Sequence, residues 1–151
     1  MAANGSSPTT RAERRLSVVI RVVAGVFVVF FVLALIGSAT QSDMPELLYG
    51  LVGWQSIGDP EEQMIAIVYV VWGLFLWRAA NDPLRNRLFI EFTIVANAAH
   101  AILMGIQALA YPGEHLHLAG DVPALLILAV ALLLAWLPVR RDAAAGAAAS
   151  A

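Results

Sequence analysis

The residues best suited to chemistry in this 151-residue chain fall on one line. Thr93, Asn97, His100, Met104 and Gln107 follow one another at spacings of four, three, four and three, which keeps them on one face of a helix. Hydroxyl, amide and imidazole groups donate and accept hydrogen bonds, and histidine also changes charge near neutral pH. The stripe lies in an apolar run, and polar side chains at membrane depth turn from lipid toward a bundle interior or a hydrated cavity. Two readings fit it. One is glue between helices, worth about 1 kcal/mol per bond; the other is a ligand or proton site around Asn97 and His100. Ala96, Ala98, Ala99, Ala101 and Gly105 permit close helix approach under either. One run earlier, Tyr69 and Trp72 share a face with Gly73 and Leu76. That pair either packs helices or lines a flat apolar site for a quinone or aromatic compound.

Glu91 stands apart. At about 100° per residue it lies nearly opposite His100. Arg87 precedes it by four residues, and Arg21 in the first apolar run falls at similar depth. A structural ion pair among Arg21, Arg87 and Glu91 is expected, since a lone carboxylate in a membrane is costly; a proton acceptor or substrate anchor is the alternative. Segment 114–121 holds His115, His117 and Asp121, ligand types for zinc, copper or iron. Their spacing is not a diagnostic one, and Asp121 also suits a helix N-cap, so solvated loop residues and capping compete with a metal site. The serines form no nucleophile elbow, and no glycine-rich phosphate loop follows a strand. Cysteine and lysine are absent, which removes disulfides, thiolate catalysis and Schiff-base chemistry. No catalytic set emerges, and no cofactor is required, a metal ion or quinone being the alternatives named above.

The elements that must position these residues are membrane spans. With 60% apolar residues and a mean hydropathy of +0.77, the chain has more apolar surface than a soluble core uses. Four apolar runs, about 16–37, 63–80, 87–110 and 122–137, are expected to cross the bilayer. The first exceeds the roughly 7–15 residues of a secretory h-region, which favours a retained helix over a cleaved signal. Asp59, Pro60, Glu61 and Glu62 suit the start of the second; Asn81-Asp82-Pro83 ends it. Tyr111-Pro112-Gly113 stops the third, and Pro138 is expected to end the fourth. Trp77 and Trp136 fall at one interface, and Tyr49, Trp54 and Tyr111 near the other.

All nine basic residues are arginines, and all lie at one end of such a bundle. Arg11, Arg14, Arg15 and Arg21 mark the start of the first run, Arg78, Arg85 and Arg87 the second link, and Arg140 and Arg141 the end of the fourth. The other two links carry only acidic charge. Cytoplasmic loops retain arginine, so both termini are expected inside. The fold class is therefore an all-α, four-helix transmembrane bundle, N-in and C-in. It divides into a flexible tail at 1–15, the bundle at 16–139 and an alanine-rich disordered tail at 140–151. A short interfacial helix is expected near 45–52. Contacts are expected between the second and third helices and between the third and fourth. With no basic patch away from the membrane flanks, nucleic acid is excluded as a partner.

The run 64–80 (MIAIVYVVWGLFLWRAA), Asp82-Pro83, the 89–107 stretch with Asn97 and His100, and His117-Leu118-Ala119-Gly120-Asp121-Val122-Pro123 together resemble the BphX-like proteins and related small four-span bacterial proteins of unknown function. The resemblance covers roughly residues 60–140; the first helix and both tails match only in character. It implies a multi-pass bacterial inner-membrane protein and brings no activity, substrate or catalytic residue. The expected role is an accessory or partner-binding protein without enzymatic activity, with the lipid bilayer as its surroundings and a protein partner or a second copy as its contact. The alternatives are a binder or carrier of a small apolar or weakly acidic molecule, using Tyr69, Trp72, Asn97, His100 and Gln107, and a metal- or quinone-dependent redox component.

Overall fold

A computed structural model describes residues 10–40 and 60–149. Four long helices follow in order: α1 (Arg11–Thr40), α2 (Pro60–Ala79), α3 (Arg87–Ala110) and α4 (Asp121–Ala149), with a 3-10 turn at His115–Leu118 before the last. Each helix is long and apolar enough to cross a membrane. Among the described residues there is no strand. The expected interfacial helix near 45–52 lies outside them.

Each helix buries one stripe and leaves the rest for lipid. Leu16, Ile20, Val23, Ala24 and Phe27 line α1; Ala66, Tyr69, Gly73, Leu76 and Ala79 line α2. Ile90, Ile94, Asn97, Ala101 and Met104 line α3, and Ala129, Leu132, Trp136 and Val139 line α4. These spacings of three and four make helical faces. Outward positions such as Leu33, Leu88, Val95 and Ile127 are more than half exposed, which suits a hydrocarbon solvent and not water.

The expected contact of the third and fourth helices is present, while that of the second and third is sparse. α1 packs chiefly on α2, α3 chiefly on α4, and α1 on α4, while α2 meets α3 at few points. The reason lies in small residues. A Cβ at Gly73 would come within 2.8 Å of Val28 and 3.0 Å of the Ala24 carbonyl, so α1 and α2 touch almost backbone to backbone. Large rings instead fill the space between α2 and α3.

Both tails also depart from expectation. α1 starts at Arg11, within the tail expected at 1–15, because Thr10 and Glu13 form a capping box. The Thr10 amide donates to Glu13 Oε2 (2.9 Å), and the Glu13 amide donates to Thr10 Oγ1 (3.1 Å), satisfying donors that a helix start leaves open. At the other end α4 runs through the exposed Pro138 to Ala149. Proline withholds one amide hydrogen from the carbonyl of Leu134, and the helix continues past it. The alanines beyond it are the strongest helix formers. Lack of an apolar face therefore does not make this tail irregular.

The arginine-bearing ends lie together. Ser17 Oγ donates to the Ala80 carbonyl (2.6 Å), and Arg21 Nη2 donates to Asn81 Oδ1 (3.2 Å), so the start of α1 meets the α2–α3 link.

Candidate functional site

The polar stripe of α3 and the aromatic pair of α2 come together across the α2–α3 seam. Tyr69 Oη lies 3.1 Å from His100 Nδ1, the hydroxyl donating when the ring carries its proton on Nε2. Trp72 Nε1 donates to Thr93 Oγ1 (2.9 Å), and Thr93 Oγ1 donates in turn to the Phe89 carbonyl (2.8 Å). Asn97 Nδ2 donates to the Thr93 carbonyl (2.8 Å). Tyr69, Trp72, Asn97 and His100 thus form one neighbourhood with Thr93. Gln107 lies further along the same helix, half-buried.

One atom in this neighbourhood stands out. Asn97 is 1% exposed, yet its Oδ1 accepts no hydrogen bond among the described residues. A buried acceptor without a donor costs about 1–3 kcal/mol, and native interiors rarely leave one so.

Sequence reasoning found the aromatic pair Tyr69 and Trp72 but missed the phenylalanines that extend it. Phe31 of α1 stacks on Tyr69 at 4.3 Å between ring centroids, Tyr69 on Trp72 at 5.3 Å, and Trp72 on Phe92 of α3 at 5.1 Å. Phe27 meets Tyr69 edge-on at 5.0 Å. Offset and edge-on ring pairs contribute roughly 0.5–1.5 kcal/mol beyond their burial, so the rings hold three helices. Phe27 and Phe31 sit four apart in a run of valine and phenylalanine; that spacing was the available signal. A Tyr69→Phe variant should keep every ring contact and lose the bond to His100. Its expected cost is about 1 kcal/mol, read as a lower midpoint in a detergent unfolding titration.

Glu91 is held from α4 and not by the arginines expected. Trp136 Nε1 donates to Glu91 Oε1 (3.2 Å), and Arg140 Nη1 lies 3.9 Å from the same oxygen. Arg21 is taken up by Asn81. The packing of α3 on α4, not on α1, decides this, and it buries Trp136 among the helices at 3% exposure. The Glu91–Arg140 pair is itself largely exposed, so it contributes little to stability.

At the opposite end, His117 and Asp121 come together and His115 stays exposed. The fully buried His117 presents Nδ1 to both Asp121 carboxylate oxygens at 3.1 Å and Nε2 to Glu114 Oε2 at 3.0 Å. Both ring nitrogens are therefore turned to carboxylates. Among the described residues no group of three histidine or acidic side chains is arranged to hold a metal ion. The His117 contacts tie the 3-10 turn to Glu114 before it and to Asp121 at the start of α4.

Four helices of membrane-crossing length around a polar and aromatic seam define a small polytopic bundle. Residues 14–147 match the model of a family of unknown function, DUF6632, and the chain belongs to that family. Neither the curated proteins nor the solved structures contain a match.

Proposed function

We propose that this chain is a multi-pass protein of the bacterial cytoplasmic membrane, with both termini inside, acting as an accessory protein that binds a partner and catalyses nothing. The observation that supports this reading is that the polar stripe is engaged by the neighbouring helix and by its own: Tyr69 bonds His100 and Trp72 bonds Thr93 across the seam, while Asn97 bonds the Thr93 carbonyl within α3. Such bonds fix a bundle's shape, and shape is what a partner reads. The role needs no cofactor. The orientation follows from the arginine clusters, and kinship with the BphX-like proteins is part of the same proposal.

A second reading rests on Asn97 Oδ1. A buried acceptor beside His100 and Tyr69 suits a small molecule with one polar hydrogen and an apolar body, carried between α2 and α3. One measurement separates the two: native mass spectra of the protein released gently from its own membrane. The accessory role expects a protein partner at fixed stoichiometry, retained by His100→Ala and Asn97→Ala variants. A small added mass, lost in both variants, would replace it with the carrier reading. Orientation is tested on its own. The chain lacks cysteine, so single cysteines at Arg85 and Glu114 should label from opposite sides of intact cells, the latter from outside.

A further inference from the structure

The start of α1 and the end of α4 leave a groove whose chemistry changes along its length. Arg11, Arg14 and Arg15 form its upper rim, and Val19, Ala131 and Ala135 lie among its walls; its volume is about 650 Å³. The arginines are exposed, and none makes a side-chain ion pair among the described residues. The nearest acid in sequence, Glu13, is engaged by the Thr10 amide. Among the described residues no acidic side chain lines the groove. Positions 11, 15 and 19 are spaced by four, as are 14 and 18, so the cationic rim and the apolar wall share one face. Neighbouring positions on that line rise about 6 Å, roughly the step from a phosphate to the first acyl carbons. Alanines at 131 and 135 on α4 keep the opposite wall low.

We propose that this groove is a site for an anionic phospholipid, its phosphate held by Arg11, Arg14 and Arg15 and one acyl chain lying against Val19, Ala131 and Ala135. Guanidinium groups meet phosphate oxygens with paired, directed donors, and basic recesses between spans select anionic headgroups over zwitterionic ones. The site requires the helices to lie in a bilayer. It does not depend on the accessory role, nor on which leaflet holds the arginines.

The test uses the full chain in mild detergent with an equimolar mixture of dioleoyl phosphatidylglycerol and dioleoyl phosphatidylcholine, read by native mass spectrometry. The parent protein should retain one phosphatidylglycerol per chain, preferred about tenfold or more. Arg11→Gln, Arg14→Gln and Arg15→Gln together should abolish the preference, while Arg78→Gln with Arg85→Gln leaves it in place. Ala131→Phe should displace the lipid with every arginine intact. The glutamine substitutions touch only exposed positions, so their result stands even where Ala131→Phe disturbs folding. Equal retention of the two lipids by the parent overturns the proposal, as does equal loss in both arginine variants, which would mean diffuse charge attraction. A dimer that dissociates in the triple variant also overturns it, because the groove would then seat a second copy.

Discussion

A Gly73→Ala variant is expected to lose about 1–3 kcal/mol of stability, and Gly73→Leu to fail to assemble. The added Cβ would stand 2.8 Å from Val28 Cγ2 and 3.0 Å from both the Ala24 carbonyl oxygen and Phe27 Cβ. Val28 can change rotamer. The carbonyl is backbone and cannot yield without moving α1. Separating α1 from α2 would also shift Phe27 and Phe31, and with them the ring stack that reaches Tyr69 and Trp72. Gly146→Ala adds the same atom where nothing lies within 4 Å, in an exposed helix where alanine is favoured. It should match or exceed the parent. Unfolding titrations in detergent on the three proteins check this, and equal midpoints for the two alanine variants would mean that α1 and α2 do not meet at Gly73.

The second large effect is expected at His117. Replacing it with alanine removes the partner of two carboxylates that are each only 15% exposed, and leaves a hole where a fully buried ring stood. Breaking such a cluster from one side costs roughly 3 kcal/mol. The loss should be local as well as global, with faster hydrogen exchange at residues 114–121 before the spans respond. His117→Gln keeps a donor toward one carboxylate and should recover part of the loss. A chelator provides the discriminating control. If the ring ties carboxylates directly, chelation leaves parent and variant unchanged; if chelation lowers the parent to the level of the variant, a metal ion is the tie.

The four spans were legible because lipid asks for apolar residues all around a helix, a demand visible in any run such as 16–37. The polar stripe was legible for a related reason, since Thr93, Asn97 and His100 are conspicuous against that background. Which helix each residue meets was not legible. Glu91 was separable from the stripe by its angle, yet choosing Arg140 over Arg21 or Arg87 requires knowing that α3 lies on α4. Periodicity on one helix carries no such information. His117 shows a different limit. Glu114, His117 and Asp121 are spaced by three and four, a helical signal, but reading the segment as a solvated loop hid the juxtaposition that the 3-10 turn creates. The start of α1 was written plainly as Thr10-Arg11-Ala12-Glu13, a capping box overlooked beside the stronger hydropathy signal. The alanine tail was misjudged because absence of an apolar face says nothing about helix propensity.

The contact of α4 with both α1 and α3 bears on how the protein is made. Chains emerge from the ribosome N-terminus first, at about 5–20 residues per second. α1 and α2 are thus delivered early, and Gly73 lets them close as a hairpin while α3 is still being synthesised. α3 arrives next with Thr93, Asn97 and His100 on one side, and α2 alone covers that side at few points. Only when α4 follows does α3 gain its main neighbour and α1 its second. The last span is in this sense the keystone, and translation arrested before Asp121 leaves α3 without its main neighbour.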